Sequence, residues 1–302
     1  CLVGSEMCIR DSIGGESMRK KRTVYPKDYS RDMLPHSRKE IFFDVVKLQW
    51  RTLIGCGMVL LLFYLPLLLS CVVKDLYQMQ FFSELDATQQ KAAGSGQALI
   101  YWEFFRCLLN IPLQMLFCLG LSGILRVIRQ FAWGENVYFP TDFAKGIKDN
   151  GKQMSLLGFL FGIIWALCFS LFFFSTLFQS SILASIAFIP IILSAVFVLP
   201  VFAVCMIMIP VYTNTFFQNL KNSVYLFLRN PMKTIVALLA FLIPCIPSLI
   251  PNFKCHLFGS IAAIILMPFA LLGWSLFCYN QFDKHLNQEI CPELVGRGIF
   301  FQ

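Results

Sequence analysis

The sequence predicts an all-α, polytopic membrane protein, and three observations carry that reading. Mean hydropathy is +0.68, with 57% of the 302 residues hydrophobic and 14% charged. Soluble domains run at about 45–50% apolar and about 25% charged, and a soluble chain this apolar would expose patches larger than monomers carry. Residues 153–220 contain no Asp, Glu, Lys or Arg, whereas one membrane-spanning helix needs only about 20 apolar residues. Backbone groups in hydrocarbon must be satisfied within the element, and the alternating segments of about ten residues that mark a β-barrel are absent, so the spanning elements are helices.

Residues 1–17 read as a non-native leader. Cys1 to Ser12 resembles translated sequencing-adapter sequence, and such segments are kept out of fold reasoning. Met18, followed by Arg19-Lys20-Lys21-Arg22, is the expected start. Residues 18–51 form a basic cytoplasmic tail ending in an interfacial helix. There Phe42, Val45, Val46 and Trp50 fall on one helical side, and Arg38, Lys39 and Lys47 stay among the head groups. Residues 52–279 form a membrane domain of six spans, at 52–73, 107–127, 154–178, 182–212, 235–250 and 257–279, and residues 280–302 a cytoplasmic tail. The fourth run would be about 46 Å long as a helix, against a hydrocarbon core of about 30 Å. Pro190, Pro200 and Pro210 argue against its being straight.

Charge sets both the count and the orientation. With the N-terminus cytoplasmic, the inside segments hold twenty Lys and Arg and the outside segments four, as the positive-inside rule requires. A seventh span would put Lys221, Arg229 and Lys233 outside. Both termini are therefore expected in the cytoplasm, and the protein in a plasma membrane.

The same bias accounts for the net charge of +8, together with attraction to anionic lipid. No nucleic-acid-binding signature accompanies it. The 12 cysteines include no CxxC and no Cys/His cluster with metal-ligand spacing. Most lie in or beside spans, where free Cys acts as a small hydrophobe; Cys71 and Cys255 are the one pair near the outer face. There is no GxSxG, HExxH or phosphate-cradling motif, so no catalytic residue, metal or cofactor is expected.

Ionisable residues inside a membrane are costly and draw attention to function. Glu103 and Arg106, three apart at the outer start of the second span, are expected to pair with each other at the interface. Asn110 lies one turn further in, suited to bonding across helices. The run Phe241 to Pro251, rich in proline, reads as a kinked span, or as a backbone ion site of the kind discontinuous helices form.

One stretch carries a resemblance. The succession Arg129, Phe131, Gly134, Glu135, Asp142, Phe143, Lys148, Asn150, Lys152, Gln153, with the segment Pro210 to Pro231, resembles the YesL-like family of bacterial integral membrane proteins. Gly120-Leu121-Ser122-Gly123 stands where such proteins often carry a proline-containing turn. The resemblance implies a Gram-positive source and an accessory role near carbohydrate uptake, with a sugar-importer component or another membrane protein as partner. It carries over no site residue. In this loop Thr141 or Asp142 is placed to cap a short helix, 142–152, with Trp133, Tyr138 and Phe139 exposed. Together with Asp142 and Phe143 they form a candidate docking loop. The expected function is thus a non-catalytic accessory membrane protein, the alternative a transporter or channel for an uncharged or weakly charged solute.

Overall fold

The computed structural model describes residues 35–83, 97–177, 181–249, 253–288 and 291–299, all within the unit Pro35–Gln302. The expectations for the leader and for Met18 to Arg22 lie outside the described residues. Among the described residues eight α-helices follow in order: α1 Arg38–Ser83, α2 Gln97–Ala132, α3 Phe139–Leu177, α4 Ser181–Leu193, α5 Leu199–Met208, α6 Phe216–Arg229, α7 Pro231–Phe241 and α8 Phe253–Phe282. The described residues contain no strand.

Among the described residues five units are each long and apolar enough to cross a membrane: α1, α2, α3, α4 with α5, and α8. The fourth predicted run is one span, ending at Met208 rather than residue 212. Its break is a π-helical turn, Ser194–Val198, immediately before Pro200 near the start of α5. Proline has no N–H and its ring collides with the carbonyl four residues back. A π-turn absorbs that mismatch without ending the helix.

The fifth predicted span, 235–250, takes a different form. The chain enters it through α6 and α7, which meet at 104°. Asn230-Pro231 makes this corner, the proline opening α7 where its missing N–H costs nothing. α7 has only 11 residues and continues as a 3₁₀ helix, Ile243–Leu249. At 1.5 Å per α residue and about 2.0 Å per 3₁₀ residue, the two cover about 30 Å, one hydrocarbon core. The prolines of this run therefore produce a kinked, tightened span, with Pro247 seated against Gly259 of α8.

Contacts show which helix ends lie together. At one end Arg38 of α1 pairs with Asp283 just beyond α8 at 2.7 Å. Arg129 of α2 donates to the Pro210 carbonyl after α5, Gln153 of α3 donates to the Asn214 carbonyl at 3.0 Å, and Asn230 before α7 donates to Gln281 at 3.2 Å. At the other end Glu103 of α2 faces Lys74 of α1, and Asp75 of α1 faces His256 of α8. The chain therefore crosses between the two ends six times, α6 lying at the first end without crossing.

The tightest pairing is α2 with α3. Gly158 and Gly162 of α3 are four apart, the small-xxx-small spacing that lets backbones approach. A Cβ at Gly158 would sit 2.9 Å from the Gln114 carbonyl oxygen and one at Gly162 3.1 Å from the Ile111 Cα.

One residue of a predicted face and one predicted helix boundary are corrected. α1 is kinked at Gln49 (φ −120°, ψ 17°), which sets its first three turns off from the span. Those turns rest on Ile41 and Val45, both buried, with Phe42 and Val46 of the predicted face packed against the same core, while Trp50 is exposed. Arg38 is held in its ion pair rather than free among head groups. The predicted short helix 142–152 is the first part of α3, a single helix from Phe139 through the third span.

Candidate functional site

The candidate loop joins α2 to α3 at the end that gathers most of the basic residues. Gly134, at φ +69°, turns the chain out of α2. α3 then starts one residue after Tyr138, whose N–H donates to the Asp142 carboxylate at 2.8 Å. The other Asp142 oxygen accepts from Gln130 of α2 at 3.1 Å. Asp142 thus reaches back to cap the helix start rather than acting as the N-cap itself, and a carboxylate there also meets the positive end of the helix dipole.

Of the aromatics expected to be exposed, only Tyr138 is, at 76%. Phe139 and Phe143 stack with centroids 5.8 Å apart and pack against the core. Phe143 fills the space above Gly123, where a Cβ would come within 2.4 Å of its ring. Trp133 is half-buried beneath two cations, with the Arg129 guanidinium 4.7 Å and the Arg297 guanidinium 4.2 Å from its ring centroid.

Arg297 belongs to the tail, and its role is not among the sequence expectations. Its guanidinium donates to Glu135 at 3.1 Å, and its carbonyl accepts from Arg38 at 2.9 Å. Gly298, at φ +86°, sits so near the Ala132 carbonyl that a Cβ would overlap it at 2.3 Å. The pattern Gly296-Arg297-Gly298 was the available signal, since two left-handed glycines let a chain hug a helix end. Beside this clamp, the Tyr212 hydroxyl donates to Asn287 at 2.5 Å, and burial pushes its phenol pKa above the ordinary value. It stays a protonated donor.

The clamped loop borders a polar cleft of about 430 Å³ against the α1 kink, lined by Gln49, Thr52, Phe131, Glu135, Asn136, Val137 and Tyr138.

At the opposite end, Glu103 and Arg106 pair as their spacing implies, at 2.7 Å. The pair is not simply interfacial: the Glu103 side chain is only 7% exposed and also faces Lys74 at 3.9 Å. Lys74 lies 3.9 Å from Asp75, which lies 3.3 Å from His256. Five ionisable side chains from three helices thus form one chain of contacts. Arg106 also lines a cavity of about 290 Å³ reached by α1, α2 and α3. Asn110 accepts from Ser70 of α1 at 3.0 Å, the cross-helix bond its position suggested.

Cys71 and Cys255 are not joined by a disulfide, and among the described residues no three His, Cys, Asp or Glu side chains gather as metal ligands do. The chain matches no protein-family model, no curated protein and no solved structure.

Proposed function

We propose that this chain is an accessory membrane protein of a bacterial plasma membrane, without chemistry of its own, that holds a partner at its basic end. The observation that carries this reading is the clamp on the α2–α3 loop. A loop that merely connects two spans has no need of a tail residue seated on its tryptophan, a carboxylate cap from within and an ion pair to the chain's own end. Here these contacts hold a polar cleft and a 76% exposed Tyr138 in fixed relation. Preorganised surfaces lose less entropy on binding, and exposed tyrosines are frequent interface anchors.

The resemblance to the YesL-like family makes the membrane component of a sugar importer the partner to test first. Photo-crosslinking from position 138 in cells provides the test. A discrete adduct with an importer subunit, lost when Asn136 and Glu135 are both replaced by Ala, is the expected result. A crosslinker that labels only lipid would overturn the docking role.

A further inference from the structure

We infer that the cavity between α1, α2 and α3 binds an uncharged, polyhydroxylated ring compound, a site independent of the partner surface at the other end. Two rows of side chains make it. On α2, Arg106, Asn110 and Gln114 recur every four residues and line one wall; on α3, Phe161, Trp165 and Phe169 recur with the same stride and line the other. Residues four apart share a helix face, so each row is a ladder about 12 Å long. The helices run antiparallel, in the register set by Gly158 against Gln114 and Gly162 against Ile111. The Arg106 end of the polar ladder therefore meets the Phe169 end of the aromatic one.

Chemistry narrows the occupant. The aromatic ladder is continuous, with Trp165 stacked on Phe169 at 5.3 Å and Phe161 at 5.7 Å from Trp165. Ring faces are electron-rich and attract C–H edges. The polar ladder is rich in donors: Arg106 carries only donors, and Asn110 already uses its oxygen on Ser70. The Trp165 indole N–H is buried with no hydrogen-bond partner among the described residues, a group that ordinarily finds one. A guest must therefore bring acceptors to one side and C–H groups to the other. Hydroxyls on a saturated ring do both.

Charge excludes a stronger anion. Glu103 neutralises Arg106 at 2.7 Å, and no other ionisable side chain except Cys107 lines the cavity. An incoming carboxylate would have to compete with Glu103 for Arg106, the one cation among the lining residues. The volume of about 290 Å³ is at the small end of ligand pockets, about 300 Å³ and upward, which suits a single ring. That ring would be a free sugar or polyol, or the head group of a glycolipid.

The test uses the full chain in phosphatidylcholine nanodiscs free of sugar-headed detergent. Methyl α-glucoside and myo-inositol are probed by saturation-transfer NMR, with sodium acetate as the anionic probe. The expected result is a saturable signal from ring C–H protons. It should weaken about tenfold or more when Asn110 and Gln114 are both replaced by Leu, since each lost hydrogen bond weakens binding several-fold. It should vanish in Ala166→Phe, which fills the cavity. Trp165→Phe keeps an aromatic wall while removing the N–H along with part of the ring; it should weaken binding even if the Ala166 variant fails to fold. Doping the discs with glucosyl diacylglycerol separates the sources, since its head group would compete the soluble signal away if lipid is the natural occupant. A wild type that gives no saturable signal with either polyol and none displaced by the glycolipid, or that prefers acetate, overturns the proposal. So does affinity unchanged in all three variants.

Discussion

Glu103 shows how one side chain holds charges from two helices in place. It accepts from Arg106 and faces Lys74 while almost fully buried. Removing one partner of a buried ion pair leaves the other charge uncompensated, at a cost of about 3–5 kcal/mol, whereas replacing both with apolar groups is often neutral. Glu103→Gln is therefore expected to lower the thermal unfolding temperature in nanodiscs markedly, and Glu103→Leu with Arg106→Leu to restore most of it. A single variant that unfolds with the wild type would mean that Arg106 reaches water unaided. The spacing of three made this pair legible in the sequence. Lys74, Asp75 and His256 were not, because what joins them to it is the packing of α1 and α8 against α2. The aromatic count misled in a related way: Trp133 and Phe139 read as exposed because they sit in a polar loop, yet Arg129 and Arg297 cover the first and the Phe143 ring the second.

For whole helices, hydropathy located the crossings and misjudged their ends. α3 begins at Phe139, fifteen residues before the apolar run it contains, because hydropathy detects the bilayer while the hydrogen-bonded ladder continues beyond it. α6 escaped the span count for the opposite reason: its apolar residues occur on one stripe only. Phe216, Leu226 and Phe227 are buried, and Phe217, Val224 and Leu228 exposed beside Lys221, the pattern of a helix lying along an interface. Glycine placement gives a prediction for the α2–α3 pair. Gly158→Ala pushes a methyl to within 2.8 Å of the Cys118 Sγ and 2.9 Å of a backbone oxygen, while Gly55→Ala meets nothing within 4 Å. Overpacking costs about 1–3 kcal/mol, and relief of glycine's helix penalty returns up to about 1 kcal/mol. Folded yield and unfolding temperature should therefore fall for Gly158→Ala and hold or rise for Gly55→Ala. Equal behaviour of the two would mean that the close approach at Gly158 is not what joins these helices.

Over the whole molecule, charge and helix packing bear independently on topology. Charge predicts that the end rich in Lys and Arg faces the cytoplasm. The contacts say nothing of which side is which, but they bind the helix ends into two groups. The α2–α3 loop, the α5–α6 loop and the tail meet at one end through Arg297, Arg129 and Tyr212; Lys74 and Asp75 of α1, Glu103 of α2 and His256 of α8 meet at the other. A reporter active only in the cytoplasm, fused after Asn136, after Asn214 and at Gln302, is expected to work at all three sites. Fused after Lys91 or after Asn252, it should be silent at both. Each pattern of failure has its own meaning. Activity at the second pair and silence at the first three would invert the charge reading and leave the helix packing intact. Activity at Asn136 with silence at Asn214 would contradict the packing itself, because Arg129 cannot donate to the Pro210 carbonyl across a bilayer. It would mean that α4 and α5 cross as two spans rather than one. The π-turn before Pro200 is the reason to expect otherwise: it keeps the helix running through a proline at which it would otherwise have ended.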